Sequence, residues 1–270
     1  MPRRAKKDTV IANAGFDPGR VVALSREDAV AGIAGPGRWL VAEYQPTTLF
    51  SLKTSQATSS VGVSLVIPTP YSIKMALVDA AFRAGFGGEQ DCGDFLRSLA
   101  NVELRIAPAA AAVVTNTFLK IRQESRGGDP AHPYGPAIAY REMIYLQGAW
   151  LWGFDLACGD DLLAQRLVRL APYVNYIGKR GSFVQYRGLH RSTELGPRFT
   201  QPLESGASWA APARAHVRPL DDFGPGADLE TLSSFTEAKP KRDRHRKFIS
   251  TIIPVGIVNS GPGFSEYRKD

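Results

Sequence analysis

The sequence predicts an α+β fold, a sheet with two helices packed on it, its elements in the order βαββαβ. Three observations predict it. Segments rich in strand formers alternate with two segments of helical periodicity, in the order strand, helix, strand, strand, helix, strand. Both helical segments carry a single apolar stripe, as a helix lying on one face of a sheet requires. At 270 residues and 44% hydrophobic content, the chain is long enough to bury a core under such a layer.

Residues 1–38 read as an N-terminal extension. It comprises a loose basic arm over 1–20, a short helix from Ser25 to Ala34 and a breaking GPGR at 35–38. Trp39 to Lys53 reads as the first strand. Pro46 interrupts it, which predicts an edge strand or two pieces with a bulge. The polar run TSQATSSVGVS follows as a loop. The clearest helix starts at Thr69, a hydroxyl cap, with Pro70 in the first turn. Ile73, Ala76, Leu77, Ala80, Ala81 and Ala84 make its stripe, and Gly85, Gly87 and Gly88 end it. A second short helix spans Asp91 to Ala100. Val102–Ile106 and Val113–Arg122 read as strands, and RGGDPAHPYGP at 126–136 as a turn-rich insertion. Ala139–Leu156 is extended again, and Asp160–Leu170 is helical with Leu163, Leu167 and Leu170 buried. Together 39–191 form the core, with an insertion at about 106–138. Residues 192–245 are rich in Pro and Gly and weakly patterned, so 192–270 reads as a long irregular insertion. It ends in a buried-type strand at 248–258, followed by a loose tail, GFSEYRKD.

Composition narrows the function classes. The formal net charge is +7, which favours a polyanionic partner. Two cysteines, Cys92 and Cys158, support neither a disulfide framework nor a four-thiolate zinc site. The four histidines lie apart, at 132, 190, 216 and 245, so no metal or cofactor is expected. The start MPRRAKKD lacks the apolar run of a signal peptide, and no apolar stretch is long enough for a bilayer. A cytoplasmic protein is expected. Nucleophile elbow, Walker loop and HExxH patterns do not occur.

The stretch NYIGKRGSFVQYRG, 175–188, is the leading candidate site. Gly178 and Gly181 let backbone amides approach a phosphate, and Lys179, Arg180 and Arg187 supply cations. Phe183 and Tyr186 offer flat faces for unpaired bases, with Ser182 as a further hydroxyl. The alternative is a tight turn with a solvated charge pair and core aromatics. Lys53, Thr54 and the polar run after them suit phosphate and 2′-hydroxyl contacts; the alternative there is a polar surface loop. Lys74 and Arg83 lie off the apolar stripe of their helix; one or both face RNA, or both are simply its solvated face. Lys120 and Arg122 alternate with apolar residues, so they share one face, and Arg141 joins them if the register allows. The basic run KPKRDRHRK at 239–247 either tracks a phosphate backbone or is a solvated loop. A metal-independent ribonuclease would need a base, an acid and a cation; His190 with Lys179, Arg180 and Tyr186 is the one candidate set.

The order βαββαβ is that of ferredoxin-like domains, among them RNA-recognition domains, where one sheet face is free for a partner. Two motifs carry a closer resemblance. Pro68, Pro70, Lys74, Ala76, Leu77, Asp79 and Ala80 form a P-x-P-x-x-x-K-x-A-L-x-D-A pattern, and Tyr176, Gly178, Lys179, Arg180 and Ser182 a Y-x-G-K-R-x-S element. With the strand REMIYLQGAW at 141–150, they make residues 39–188 resemble the fifth-numbered Cas family of the RAMP superfamily, a subunit of type I CRISPR Cascade complexes. The resemblance implies a structural subunit, not an enzyme. It would hold the 5′ handle of the CRISPR RNA, cap the backbone of repeated subunits and contact the large subunit near target DNA. It also implies a thumb-like hairpin that pins the RNA, expected at 106–138. In one subtype the family member itself cuts precursor RNA, and no match to that catalytic set stands out here. Residues 1–38 and 192–245 have no counterpart in the family pattern.

Overall fold

The computed structural model describes residues 37–54, 61–124, 133–156, 161–179, 181–203, 213–233 and 236–269. The arm and short helix expected over 1–34 lie outside these residues, as does most of the turn-rich stretch, 125–132. The elements begin with β1 (Trp39–Pro46), β2 (Val61–Gly62), α1 (Pro70–Arg83), α2 (Glu89–Ala100) and β3 (Leu104–Ala107). Then come β4 (Ala111–Glu124), β5 (Tyr134–Gln147), β6 (Trp150–Asp155), α3 (Asp161–Leu170) and β7 (Val184–Ser192). The remainder is β8 (Gln201–Pro202), β9 (His216–Phe223), α4 (Leu229–Leu232), β10 (Arg246–Ile253), β11 (Gly256–Gly261) and β12 (Phe264–Arg268).

The chain is a mixed α+β fold built mostly of antiparallel strands. The first sheet has the order β3-β6-β1-β7, and every neighbour in it is antiparallel. β1 is therefore central and not an edge. Its run stops at Pro46, and the rest of the expected strand is a separate piece in which Phe50 bridges Ile144 and Lys53 bridges Ser64. One residue slips between Glu43 and Tyr44, a bulge that leaves Arg187 unopposed on β7.

Alternation along β1 sorts side chains to two faces. Leu40, Ala42 and Tyr44 enter the main core together with Trp150, Trp152 and Phe154 of β6. Tyr44 stacks on Trp152 at 3.9 Å between centroids and donates its hydroxyl to the Ala171 carbonyl at 2.8 Å. Burial pushes its pKa well above the usual tyrosine value, so it stays a neutral donor. Helix α1 closes this face. Thr69 caps it by accepting from Ser72 N, Ser72 Oγ accepts from Thr69 N, and Pro70 occupies the first turn. Burying each large apolar side chain here contributes about 1.5–3 kcal/mol.

The face opposite the helices is not free along its length. Trp39, Val41 and Ala107 are covered by Phe199 and Leu195 from the chain after β7. This strap is pinned where Thr200 Oγ1 accepts from Ile106 N and Thr200 N donates to Ile106 O, both at 2.9 Å.

In the C-terminal third, the described residues include regular strands where irregular chain was expected. β8, β10 and β9 form a three-stranded sheet, and its Leu220, Phe223 and Ile253 share the main core. The strand expected at 248–258 divides between β10 and β11. The tail expected to be loose is β12, which pairs with β4 from Phe264 opposite Thr115 to Arg268 opposite Ala111. A third sheet, β11-β12-β4-β5-β2, contains the long β4–β5 hairpin, in register from Ala111 opposite Gln147 to Glu124 opposite Tyr134.

Candidate nucleic-acid interface

The turn joining α3 to β7 is built from its glycines outward. Tyr176 and Phe183 form a bridge, Ile177 N donates to Ser182 O, and Ser182 N donates to Lys179 O, each at 3.1 Å. Gly178 and Gly181 stand at φ 66° and 100°, where side-chain-bearing residues are strained. The piece of chain after Pro46 clamps this turn. Thr47 N donates to Phe183 O at 3.0 Å, Thr48 Oγ1 donates to Gly181 O at 2.8 Å, and Phe183 N donates to Thr48 Oγ1 at 3.0 Å. Thr47 Oγ1 also donates to Phe183 O at 3.2 Å, and a surface turn held by such long-range hydrogen bonds presents its side chains from a fixed frame.

That frame displays Lys179, exposed, and the ring of Phe183, which is 47% exposed. Lys53 is exposed on the neighbouring piece, and Thr54, half-buried, donates its N–H to Val63 O. Arg187 is exposed at the bulge. Arg83, expected to face RNA or solvent, lies beside the turn, and Tyr173 is a group that escaped the sequence reading. Arg83, from the last turn of α1, lies over the Tyr176 ring at 5.8 Å, donates to Tyr173 O and pairs with Asp79. Tyr173 itself is 47% exposed. The hydroxyl pair Thr47–Thr48 was the one legible hint of the clamp, since short polar side chains after a proline favour bonding to backbone.

Other expected residues fall elsewhere. Arg180 lies outside the described residues. Ser182 is buried, its backbone closing the turn, so its hydroxyl is not presented to a ligand. Tyr186 is half-buried edge-on to Tyr44 at 5.6 Å, and burial raises its pKa; it is a packing residue, with little ring free for a base.

Lys74 is a clear correction. It is fully buried, with Nζ 2.7 Å from Asp222 Oδ1 and 2.9 Å from Val102 O. The flank of α1 assigned to RNA or solvent is covered by β9, whose Asp222 draws the ammonium inward. Burial lowers the Lys74 pKa and raises that of Asp222; the pair's mutual attraction works against both shifts.

Arg141 is a second correction. Lys120 stands opposite Ile138 and Arg122 opposite Pro136, whereas Arg141 stands opposite Thr117. Directly opposed residues share a face, so Arg141 sits on the other side of the hairpin from Lys120 and Arg122. Lys120 and Arg122 share their face with Phe118 and Ile138, each 71% exposed. Phe118 meets Tyr140 edge-on at 5.1 Å.

Of the residues considered for RNA cleavage, His190 and Tyr186 do not converge. His190 is opposite Val41, on the face away from the helices, while Tyr186 is opposite Tyr44 on the core face. Among the described residues, no group of three metal-ligating side chains comes together. No helix among them is long and apolar enough to cross a membrane.

No protein-family model matches the sequence, and no curated protein matches it. Among solved structures, the chain is similar to a CRISPR protein from Archaeoglobus fulgidus, with 12% identity and a TM-score of 0.44 over 86% of this chain and 92% of that one. It is similar to a chain of a CRISPR RNA-guided surveillance complex, with 15% identity and a TM-score of 0.43 over 79% and 88% of the two chains. It is also similar to a chain of the type III-B Cmr-beta complex bound to cognate target RNA, with 12% identity and a TM-score of 0.38 over 56% and 59%. The structural neighbours are thus CRISPR proteins.

Proposed function

We propose that this chain is a non-catalytic, cytoplasmic structural subunit of a type I CRISPR Cascade effector complex. It binds the 5′ handle of CRISPR RNA and caps the backbone of repeated subunits beside the large subunit, serving RNA-guided surveillance of target DNA. The sheet order and connections support a ferredoxin-like core, and the β4–β5 hairpin is the candidate thumb. The observation that carries the reading is the clamped turn at 176–183. It holds a cation and a half-open aromatic ring together on a rigid frame, the pairing that an unpaired nucleotide needs for phosphate contact and base stacking.

The test is binding of a short fluorescent repeat-derived RNA, read by anisotropy, to wild type and to the double variant Lys179→Glu, Phe183→Ala. Stacking alone is worth about 1–3 kcal/mol per base, so the variant should bind at least about fivefold more weakly. Equal binding by the two proteins sinks the assignment. Incubation of the same RNA with wild type in EDTA should leave it intact. Discrete cleavage would instead favour the reading as a metal-independent ribonuclease.

A further inference from the structure

The basic run at 239–247 is not a loose loop. Gly224 N donates to His245 O at 2.9 Å and Gly226 N to Arg244 O at 2.8 Å, so the chain after β9 lies directly under the run. A Cβ at Gly224 would fall on the Arg244 carbonyl, which is why glycine stands there. His245 is buried, accepts from Lys241 N through Nδ1 at 3.1 Å, and donates its own N–H to Lys241 O at 2.9 Å. Asp243 takes φ 63°, the one positive φ at a non-glycine among the described residues. Arg246 anchors the far end, with its guanidinium bonded to Asp221 and lying 4.3 Å over the Tyr71 ring.

This frame turns Lys239, Lys241, Arg242 and Arg244 outward, all exposed, with Asp243 the one carboxylate among them. Arg242, 76% exposed, stands 4.0 Å from Asp243. The turn also lies far from the candidate RNA site. Arg246 rests on Tyr71 in the first turn of α1, and Tyr176 rests under Arg83 in its last turn. At about 1.5 Å per residue, those helix positions are about 18 Å apart. That exceeds the screening length of about 8 Å at physiological salt, so the two charge clusters act separately.

We infer that the 239–246 turn is a second polyanion site, one that grips the phosphate backbone of a nucleic-acid duplex. Single-strand sites need free rings on which bases stack, and the two rings beside the turn are half-buried and already covered by guanidinium groups, Tyr71 beneath Arg246 at 4.3 Å and Phe248 beneath Arg242 at 5.5 Å. Closely spaced cations on a fixed turn, without groups to read bases, suit sequence-independent phosphate contact, which is strongest on the dense charge of a duplex.

The experiment uses the full chain, a labelled mixed-sequence DNA duplex of about two helical turns and anisotropy at 50–200 mM NaCl. Neutralising three phosphates gives a salt slope of about −2.7, so these contacts should account for about a 40-fold loss of affinity across that range. The variant Lys241→Gln, Arg242→Gln, Arg244→Gln should lose this part of the slope and retain binding to repeat-derived RNA. The Lys179→Glu, Phe183→Ala variant should retain duplex binding whether or not the RNA-site reading holds. If the triple variant proves unstable, Arg242→Gln alone should lower the slope by about 0.9. A wild-type slope in these variants overturns the inference. So does duplex binding lost equally at both sites, or polyglutamate binding as tight as duplex binding, which would mark an acidic protein as the partner.

Discussion

Replacing Lys74 by methionine isolates a buried ion pair that ties α1 to the C-terminal sheet. Lys74 and Asp222 have 0% and 5% of their side chains exposed. The ammonium bonds the carboxylate at 2.7 Å and the Val102 carbonyl at 2.9 Å, and it lies 5.7 Å over the Phe223 ring. Methionine fills the space of the lysine stem but leaves Asp222 with the Phe223 N–H at 2.7 Å and the weaker attraction of Lys247, opposite it on β10, to support a buried charge. Removing one partner of such a pair costs about 3–5 kcal/mol, because the other charge is stranded. The double variant Lys74→Met, Asp222→Leu removes both charges. It should recover most of that loss or exceed wild type by about 1–4 kcal/mol, since burial already opposes ionisation of both groups. Urea unfolding followed by tryptophan fluorescence measures all three proteins. A cost below about 1 kcal/mol for the single variant would refute the burial argument. A double variant no more stable than the single one would refute the assignment of that cost to the stranded carboxylate.

Two further predictions test the site frame and the C-terminal packing. At Gly178 an added Cβ would meet Leu52 at an ordinary 3.7 Å, so Gly178→Ala is opposed by the backbone conformation, not by crowding. It should cost about 1–2 kcal/mol in urea unfolding and weaken RNA binding, whereas no loss would show that the turn can relax to negative φ. His216 has its pKa lowered, first by burial, against its 2.8 Å bond to Val255 O and with some help from Arg218. A histidine held below its unfolded value contributes stability that is complete above about pH 6.5 and is lost as pH falls through the folded value. Wild type should therefore lose urea midpoint between pH 7 and pH 5 more steeply than His216→Gln, and parallel profiles would refute the assignment.

Local chemistry determined much of this protein. The capped start at Thr69–Pro70, the α1 stripe and the order of the core strands follow from short-range preferences, which act within a few residues. So does the glycine-rich turn at 176–183, because only glycine adopts its φ values cheaply. Tertiary structure decided the rest, since it depends on partners far along the chain. Lys74 reads as a surface residue until β9, about 150 residues later, covers it with Asp222. Arg141 parts from Lys120 and Arg122 by a register that fixes which residues oppose one another. The segment after residue 192 shows little alternation because β9 and β10 bury consecutive residues at one end, against a core that other elements supply. The Thr47–Thr48 clamp, the strap of Leu195 and Phe199, and the rigid basic turn over Gly224 exist through contacts between segments that no local pattern encodes.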